Sequence, residues 1–562
     1  MVESLVQNDF EINLQHVMRR MRTMNAHVEI VTLLDAEGTV ARSTYGEVVR
    51  RADKLANALQ RLGVGKGDRV ATFAWNTQQH LEIYLAVPCM GAVLHTLNIR
   101  LTDDQLIYII NHARDRVIIV DETLLAQIER ILPSIGGVEH FIVIGDHTRA
   151  AALPRPFAYE AFIATEPDHF DYPEIDGRAA ASLCYTSGTT GNPKGVLYGH
   201  RSTVLHAMAE CLTDTLDVRS ADRVLPVVPM FHANAWGLPY TCGMLGAALI
   251  MPGRFLHADA LVRLIAAEHV TFAAAVPTIW NDVLRTTADA PESLGSLRRV
   301  TCGGAAVPLS LMQRFEDTFG TALIQGFGMT ETSPLVAIAE APPGVTGAEF
   351  WRYRAKTGRI SPLVEARIVD VDGHELPWDG EHPGELELAG PWIASGYYLD
   401  EASEEKFRQG WLRTGDVATI DALGYIQITD RVKDVIKSGG EWISSIEMEN
   451  ALMSHPQVIE AAVIAKPDER WDERPLPCVV VDTGDDATPE ALNAHIRATF
   501  ARWQLPDEYA YISEVPKTSV GKFDKKVLRT MLAAGELPGR RAVEDTQHDA
   551  RRIHATPPRP QS

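Results

Sequence analysis

Apolar and polar positions follow two alternating periods along most of the chain. In residues 44–64 apolar side chains recur at helical spacing, and residues 65–75 change to a strand pattern. Helix, strand and helix follow one another again in residues 104–132, and residues 140–146 read as a short buried strand. This alternation predicts α/β layers with mostly parallel strand pairing. We therefore expect the fold class to be α/β.

The pattern changes at about Leu363, where short strands separated by turns replace the helix–strand alternation. Residues 365–373, 384–390 and 424–430 show this pattern and predict a small β-rich subdomain. Residues 430–434, DRVKD, mark a second change. We place the main domain boundary there.

A compact α/β unit follows the boundary. It begins with a helix from Ser445 to Met453 and continues with strands over residues 458–468 and 475–482. The predicted domains are a large N-terminal domain at 1–430, a small C-terminal domain at 431–535 and a loose tail at 536–562.

A later helix of this unit has a clear start signal. Thr488 is a good N-cap residue and is followed by a proline, which the first helical position tolerates. The apolar residues Leu492, Ile496, Phe500 and Trp503 predict one buried face.

Composition and charge exclude several function classes. A chain of 562 residues is too long to fold around a single hydrophobic core, so we expect several subdomains. A formal net charge of −21 argues against a nucleic-acid binder. The 6 cysteines are scattered without a CxxC pair, which predicts buried thiols and no zinc site. Acidic residues near the N-terminus disfavour a signal peptide, and the apolar residues 224–253 contain prolines and polar breaks. We expect a cytoplasmic protein without a transmembrane segment.

Residues 185–196, YTSGTTGNPKGV, combine hydroxyl side chains, glycines and Lys194 between two apolar runs. Backbone N–H groups in glycine-permitted conformations, hydroxyls and an ammonium are the ingredients of an anion-binding nest. A P-loop NTPase does not fit, because Pro193 and Lys194 precede Gly195 instead of following the last glycine. The residue types alone leave phosphate binding and a mobile surface loop both open.

The order of residues in this loop closely resembles the signature loop of the adenylate-forming superfamily. That superfamily contains acyl-CoA synthetases, luciferases and nonribosomal-peptide adenylation domains. Five further stretches resemble its motifs in its order: GGAA at 303–306, GFGMTET at 326–332, RTGD at 413–416, DRVKDVIKSGGEWIS at 430–444 and PKTSVGK at 516–522. The resemblance implies a large N-terminal domain of parallel α/β layers plus a small β subdomain, and a small, mobile α+β C-terminal domain.

The resemblance also implies an ATP site, with Mg²⁺ as the cofactor. The ATP- or AMP-binding residues that match are Thr186, Ser187, Gly188, Thr189, Thr190, Gly191, Lys194, Gly303, Gly304, Ala305, Gly326, Phe327, Gly328, Met329, Thr330, Asp416, Arg431, Lys437 and Trp442. Glu331 is expected to bind the metal with Thr186 beside it, since Mg²⁺ prefers oxygen ligands. Phe327 is expected to stack on adenine.

Two side chains are expected on the ribose and one on the reacting phosphate. Asp416 can accept hydrogen bonds from both ribose hydroxyls, and Arg431 can add a second contact. Lys522 is the expected catalytic lysine, which reaches the α-phosphate and the carboxylate oxygen during adenylation.

Relatives of this kind catalyse two half-reactions and rotate the C-terminal domain between them. Asp430 and Lys433 are the expected hinge residues. Gly439, Gly440 and Glu441 are expected along the CoA tunnel, where glycines permit close backbone approach.

The acid is expected to bind beside residues 229–237, PMFHANAWG. His232 matches the residue beside the acyl carboxylate, and Trp236 matches a residue that gates the acyl tunnel in some long-chain relatives. Gly303 provides a small pocket wall. Both His232 and Trp236 could instead be ordinary core residues.

The resemblance implies an AMP-forming acid:CoA ligase for a medium- or long-chain fatty acid or for 3-methylmercaptopropionate. The expected partners are a carboxylic acid, ATP and CoA, with no nucleic acid, and a homodimer is an option. A fatty acyl-AMP ligase that loads a carrier protein is the alternative within the superfamily. A luciferase-like monooxygenase is disfavoured, and an inactive nucleotide-binding scaffold is the alternative from another class.

Overall fold

The computed structural model describes residues 5–7, 9–186, 192–287, 294–370, 372–400, 403–431, 434, 436–438, 441–482, 487–517 and 523–543, with residues 441 and 442 described by backbone alone. Its helices are α1 (Gln15–Thr23), α2 (Tyr45–Arg61), α3 (Gln78–Cys89), α4 (Asp103–Ala113), α5 (Leu125–Ile131), α6 (Tyr159–Ala164), α7 (His200–Glu210), α8 (Leu238–Leu245), α9 (Ala258–Ala267), α10 (Pro277–Thr286), α11 (Leu309–Phe319), α12 (Gly347–Arg354), α13 (Ser403–Lys406), α14 (Ser445–Met453), α15 (Pro489–Ile496) and α16 (Lys525–Ala534).

The strands are β1 (Glu29–Leu33), β2 (Val40–Thr44), β3 (Arg69–Phe73), β4 (Val93–Thr96), β5 (Asp115–Asp121), β6 (His140–Ile144), β7 (Phe157–Ala158), β8 (Ala180–Tyr185), β9 (Gly195–Gly199), β10 (Arg223–Pro226), β11 (Ala248–Met251), β12 (Phe272–Ala275), β13 (Arg299–Gly303), β14 (Leu323–Gly328), β15 (Leu335–Ile338), β16 (Gly358–Ile360), β17 (Glu365–Val369), β18 (Gly384–Ala389), β19 (Phe407–Arg408), β20 (Trp411–Ile420), β21 (Tyr425–Arg431), β22 (Ile436–Ser438), β23 (Glu441–Ile443), β24 (Val458–Asp468), β25 (Asp472–Val481), β26 (Glu508–Tyr511) and β27 (Arg540–Ala542).

The largest sheet has a parallel half and an antiparallel half. The strands from β14 through β13, β12, β10 and β11 to β1 pair in parallel. From β14 the sheet continues antiparallel through β15, β16, β21, β20 and β18 to β17. The β-rich region after Leu363 is therefore joined edge to edge to the parallel α/β layer through β16 and β21.

A second sheet of the N-terminal domain has the order β7-β6-β5-β3-β4-β8-β9. Its strands pair in parallel except for β8 and β9, which form an antiparallel pair. The largest apolar cluster, which includes Val17, Leu55, Leu85 and Ile324, contains residues from both sheets and from α1, α2 and α3.

The C-terminal domain contains a third sheet, β23-β22-β25-β26-β27, with β24 on β25. The predicted helix from Ser445 to Met453 is confirmed, and the Thr488 side chain accepts from the Ala491 N–H as an N-cap. The predicted face is wrong at its end, because α15 stops at Ile496 and Trp503 is 38% exposed. A chain bend after Ile496 removes the helical register on which that prediction depended.

No helix among the residues that the structure describes is both long and apolar enough to cross a bilayer.

A buried histidine–glutamate pair on α7 joins three elements of the N-terminal domain. His206 and Glu210 are each 1% exposed, and their Nδ1 and Oε1 atoms lie 3.9 Å apart. His206 Nε2 accepts from the Leu335 N–H at 3.1 Å, and Glu210 Oε2 accepts from the Thr241 hydroxyl. The pair thus connects α7 with β15 and α8.

Burial determines the charge state of both side chains. It lowers the pKa of His206 to about 3 and raises the pKa of Glu210 well above its ordinary value. Glu210 Oε1 has no hydrogen-bond partner among the described atoms, so no donor compensates an ionised carboxylate there. The folded protein therefore favours the neutral acid at position 210.

We predict that the free energy of unfolding of the Glu210→Gln variant, relative to that of wild type, increases as the pH rises. A carboxyl whose pKa is higher folded than unfolded stabilises the fold at low pH, and this contribution is lost as pH rises towards the folded-state pKa. The wild-type free energy of unfolding should fall relative to the variant by up to about 1.4 kcal/mol per pH unit above the unfolded-state pKa. Denaturant unfolding between pH 4 and pH 9 measures this difference.

The exposed Glu37→Gln variant is the matched control, since it makes the same chemical change in solvent. A difference between Glu210→Gln and wild type that stays constant with pH would contradict the neutral-acid assignment.

Candidate active site

The motifs at residues 229–237, 303–306 and 326–332 lie at one edge of the largest sheet. They begin at the carboxyl ends of the parallel strands β10, β13 and β14, or directly after them. Gly303 and Gly326 are paired across β13 and β14. Open α/β sheets bind ligands beyond the carboxyl ends of their strands, and the fold brings these motifs to that edge of the sheet.

Glycines let the backbone turn tightly at this edge. A β-carbon on Gly328 would lie 1.9 Å from the Pro334 carbonyl oxygen. Gly304 has a φ of +86°, which favours glycine, and the Val307 N–H donates to Gln325 Oε1 at 2.6 Å. The 303–306 loop is therefore held against β14, while Ala305 is exposed.

The base of the glycine-rich loop is closed by its two end residues. The Thr186 N–H donates to the Lys194 carbonyl at 2.9 Å, and the Lys194 N–H donates to Thr186 Oγ1 at 3.1 Å. These bonds continue the β8–β9 pairing, whose last pair is Tyr185 and Gly195. Thr186 and Lys194 therefore have fixed backbones, although the loop tip lies outside the described residues.

Lys194 extends from this base towards residues 397 and 400. Its Nζ lies 3.2 Å from Asp400 Oδ2 and 4.8 Å from the centre of the Tyr397 ring. The side chain is 38% exposed, so its ammonium is open to solvent on one side. This is an arrangement in which a phosphate could replace the aspartate as the partner of the lysine.

Glu331 is buried and contacts the same tyrosine as this lysine. It is 7% exposed, its Oε1 accepts from the Tyr397 hydroxyl at 2.6 Å, and its backbone carbonyl accepts from the Ala394 N–H at 2.8 Å. The preceding residue, Thr330, accepts from the Tyr198 hydroxyl at 2.7 Å through its carbonyl. Strand β9 and residues 394–397 thus hold the Glu331 segment from two sides.

The predicted ribose residues form a cross-strand pair. Asp416 on β20 faces Arg431 on β21, with 3.2 Å between Arg431 Nε and Asp416 Oδ1. Asp416 is 3% exposed, and its N–H donates to Thr414 Oγ1 at 3.0 Å. An ordered acceptor next to a cation suits a diol that must be bound in one orientation.

Lys406 lies between the carboxylates of this site. Its Nζ donates to the Thr414 carbonyl at 2.9 Å, and burial lowers its pKa while the charges of Glu331 and Asp416 oppose that shift. Lys406 is not identifiable from the sequence, because the segment EEKF carries no motif of its own.

The acyl-side motif contains a left-handed turn. Ala233, Asn234, Ala235 and Trp236 have φ values of 43°, 51°, 50° and 57°, a conformation that L-residues adopt at a cost of about 1–2 kcal/mol each. Such strain persists where surrounding contacts determine the conformation, and it is common at functional sites.

Asn234 provides those contacts. Its Nδ2 donates to Ser182 Oγ at 2.9 Å, and its Oδ1 accepts from the Tyr84 hydroxyl at 3.2 Å. The Cys184 thiol also lies 3.4 Å from Oδ1. Because Ser182 and Cys184 belong to β8, the strand that leads into the glycine-rich loop also anchors the acyl-side turn.

The turn brings Trp236 onto the nucleotide-side strands. A β-carbon on Gly303 would lie 3.2 Å from Trp236 Cη2 and 2.8 Å from the Gly326 carbonyl oxygen. His232 is half-buried at the start of the turn, where its N–H donates to the Pro229 carbonyl at 3.0 Å. At the end of the turn, Gly237 packs against the side chains of the His206–Glu210 pair.

The predicted hinge residue Asp430 connects the two domains. It is 1% exposed, and its Oδ2 accepts from the Ser445 N–H at 2.6 Å at the start of α14. Lys525 on α16 donates to Ser445 Oγ at 2.7 Å. The end of β21 and two C-terminal helices therefore meet at one buried carboxylate.

For the other predicted residues the structure gives burial or backbone pairing alone, or they lie outside the residues that it describes. Phe327, Gly326 and Met329 are half-buried at the end of β14 and just after it. Lys437 is exposed on β22 and is paired by backbone with Trp442 on β23, which also contains Glu441. Residues outside the described ranges are Ser187, Gly188, Thr189, Thr190, Gly191, Lys433, Gly439, Gly440 and Lys522.

The structure adds residues that the sequence argument missed: Tyr198, Asn234, Tyr397, Asp400 and Lys406. Three of them contact a predicted residue: the Tyr198 and Tyr397 hydroxyls donate to Thr330 and Glu331, and the Asp400 carboxylate pairs with Lys194. Asn234 lies inside the predicted 229–237 motif, but its residue type does not indicate its structural role. The one available signal was the glycine-flanked aromatic pair in SGYYLD.

Comparisons with known proteins agree with this geometry. Residues 20–398 match the family described as AMP-binding enzyme, and residues 447–522 match the AMP-binding enzyme C-terminal domain. The chain is 47% identical over 527 residues to a long-chain-fatty-acid–CoA ligase of Thermus thermophilus, which covers 93% of this chain and 96% of the relative.

The chain is also 43% identical over 511 residues to a 3-methylmercaptopropionyl-CoA ligase of Ruegeria lacuscaerulensis, with 90% of this chain and 94% of the relative covered. A solved structure, the anthranilate CoA ligase AuaEII in complex with anthranoyl-AMP, matches with a TM-score of 0.84 at 26% identity. That match covers 94% of this chain and 100% of AuaEII.

These findings confirm the predicted α/β fold class with a large N-terminal and a small C-terminal domain, and the resemblance to acyl-CoA synthetases. The roles of individual site residues and the domain boundaries stay predictions. The chain belongs to the AMP-binding enzyme family.

Proposed function

We propose that this chain is an AMP-forming acid:CoA ligase that converts a fatty or related carboxylic acid, ATP and CoA to acyl-CoA, AMP and pyrophosphate. The observation that supports this most is that Tyr397 contacts both Lys194 and Glu331, while Asp416 and Arg431 form an ordered pair on β20 and β21. A phosphate-binding cation, a metal-binding carboxylate and a ribose acceptor are the groups that adenylation of an acid requires.

The reaction runs in two half-reactions. A carboxylate oxygen of the acid attacks the α-phosphorus of ATP, and the bond to pyrophosphate breaks. The CoA sulfur then attacks the acyl carbon of the adenylate, the thiol proton is lost, and AMP leaves with the oxygen that had joined it to the acyl group. In the first step Lys194 stabilises charge on the phosphates, and Asp416 with Arg431 orients the ribose.

The oxygen donors at Glu331 and Thr186 fit Mg²⁺, which prefers hard oxygen ligands and keeps most of its coordination for phosphate and water. Thr186 Oγ1 accepts from the Lys194 N–H and so presents an ordered oxygen at the base of the loop. Glu331 and Thr186 would hold the ion. When bound, it would neutralise charge on the phosphate oxygens as a Lewis acid.

The C-terminal domain supplies the catalytic lysine and the CoA tunnel in this proposal. Lys522 acts in adenylation, and rotation about Asp430 and Lys433 brings Gly439, Gly440 and Glu441 to the thiol. The buried contact between Asp430 and Ser445 supports a pivot there, because it joins β21 directly to α14. Lys437 and Trp442 are the proposed nucleotide contacts of the same domain.

The proposed acid is a medium- or long-chain fatty acid or 3-methylmercaptopropionate, bound beside His232, Trp236 and Gly303. The named substrates of the two relatives support this range. A thioether sulfur and a methylene group are similar in size and polarity, so one pocket discriminates between them by only about 1–3 kcal/mol. A homodimer and a cytoplasmic location remain predictions.

Acid-dependent exchange of pyrophosphate into ATP, with and without CoA, tests the proposal. We expect exchange with acid alone and thioester formation once CoA is added. Absence of exchange with every acid would favour an inactive scaffold and contradict the ligase function. Exchange without thioester formation would favour loading of a carrier protein.

We predict that Lys522→Ala slows adenylation by a factor of about 10²–10³, as expected when one charge-stabilising donor is removed from a transition state. Thioester formation from supplied acyl-AMP should change little, because Lys522 leaves the site before that step. Lys517→Ala is the control from the same segment, since Lys517 Nζ pairs with Glu460 Oε1 at 2.5 Å. Equal losses in both half-reactions would refute the role of Lys522.

We further predict that Gly303→Ala lowers kcat/KM for the longest accepted acid at least about tenfold more than for short acids. The new methyl group would lie 3.2 Å from the Trp236 indole, where the acyl chain is proposed to enter, and 2.8 Å from the Gly326 carbonyl oxygen. A shift of the Gly326 backbone would lower kcat/KM for all acids alike, so the prediction concerns the difference between long and short acids. Gly136→Ala, with open space around its added methyl, is the control. A uniform loss across short, medium, long and methylthio acids would place the effect on the nucleotide side instead.

A further inference from the structure

Tyr397 contacts the two side chains that the proposed function assigns to the metal and to the phosphates. Its hydroxyl donates to Glu331 Oε1 at 2.6 Å, and the face of its ring lies 4.8 Å from Lys194 Nζ. The remaining contacts fix the residue itself. Its N–H donates to Ser403 Oγ at 2.9 Å, and its ring packs against Phe407 with centroids 5.1 Å apart.

The backbone around Tyr397 is bonded to the same two segments. The Ala394 N–H donates to the Glu331 carbonyl at 2.8 Å, and the Tyr398 N–H donates to the Gly195 carbonyl at 2.8 Å. Residues 394–398 therefore bridge the GMTET motif and the strand that follows the glycine-rich loop. Tyr397 is the point in this bridge where both functional side chains are contacted.

The chemistry of a phenol suits this position. A tyrosine hydroxyl donates as an uncharged group, as it does here to Glu331 Oε1. A neutral donor orients a carboxylate and leaves its negative charge available to a cation, whereas a lysine or arginine would neutralise it. The ring face likewise attracts the ammonium of Lys194 without cancelling its positive charge.

We propose that Tyr397 is a positioning residue of the nucleotide site, whose hydroxyl orients the Glu331 carboxylate while its ring supports the Lys194 ammonium. The inference rests on the proposed function of Glu331 and Lys194. Because one rigid side chain contacts both groups, it sets their separation before the nucleotide arrives. Loss of the hydroxyl should then affect metal-dependent binding, and loss of the ring should also affect metal-independent binding.

The test uses the full-length chain and its Tyr397→Phe and Tyr397→Leu variants. Calorimetry measures the affinity for a non-hydrolysable ATP analogue in Mg²⁺ and in EDTA, and acid-dependent pyrophosphate exchange is titrated with Mg²⁺. For Tyr397→Phe we expect about tenfold weaker binding in Mg²⁺, a higher Mg²⁺ concentration for half-maximal exchange, and unchanged binding in EDTA. Tyr397→Leu should also weaken binding in EDTA.

Tyr172→Phe is the matched control, since it removes a tyrosine hydroxyl that donates to Asp53 Oδ1 at 2.9 Å outside the site. It should leave the Mg²⁺ dependence at its wild-type value. In the Glu331→Gln background, the effect of Tyr397→Phe should shrink to less than about twofold, because residues that act together are non-additive. Additive losses would overturn the assignment.

Unchanged Mg²⁺ dependence in Tyr397→Phe, with normal exchange by the wild type, would overturn the positioning role and leave the ligase function intact. If the wild type binds the analogue but exchanges with no acid, the ligase function fails, while the calorimetric comparison still decides the role of Tyr397.

Should Tyr397→Phe not fold, Tyr397→His is the second variant, because histidine retains a ring and a donor. Wild-type-like binding in Mg²⁺ would then support the role, and a loss as large as that of Tyr397→Leu would overturn it.

Discussion

The site depends on holding a buried carboxylate, Glu331, and a partly exposed ammonium, Lys194, against the same tyrosine without pairing them with each other. Glu331 is 7% exposed, and its carboxylate accepts a hydrogen bond from Tyr397. Lys194 lies over the ring of the same tyrosine. A buried charge is costly unless hydrogen bonds compensate it. Here a neutral phenol donates to the Glu331 carboxylate and leaves its charge available to a cation, while the Lys194 ammonium is paired with Asp400, which a phosphate can replace. Hydrogen bonds join the β8–β9 hairpin, the segment after β14 and residues 394–398 to one another around this arrangement.

The same strand that holds the glycine-rich loop also holds the acyl-side turn. Ser182 and Cys184 on β8 contact Asn234 in the left-handed turn, and Thr186 closes the loop one residue after β8 ends. Trp236 then packs on Gly303, which is paired with Gly326 at the nucleotide side. The acid and nucleotide sides are therefore built on a continuous set of contacts, with the buried His206–Glu210 pair beneath the turn.

Much of this arrangement follows from the sequence, and some of it does not. Alternating periods predict the α/β layers and the bounds of α14, and the motifs locate Glu331, Asp416 and Lys194. The buried face that includes Trp503 was mispredicted, because apolar spacing does not report where a helix ends. Tyr397, Asn234 and Lys406 were missed since their roles arise from tertiary contacts between segments far apart in the chain, which no local spacing encodes.

The most direct measurement of the central claim follows an oxygen atom through the reaction. The acid is supplied with ¹⁸O in both carboxylate oxygens, and AMP, pyrophosphate and acyl-CoA are analysed by mass spectrometry after one turnover with ATP and CoA. Reaction through an acyl-adenylate predicts a single ¹⁸O in AMP and none in pyrophosphate, because the carboxylate oxygen that attacks the α-phosphorus stays with AMP when the thiol displaces it. Label in pyrophosphate or in free phosphate, or thioester formed with unlabelled AMP, would contradict the account.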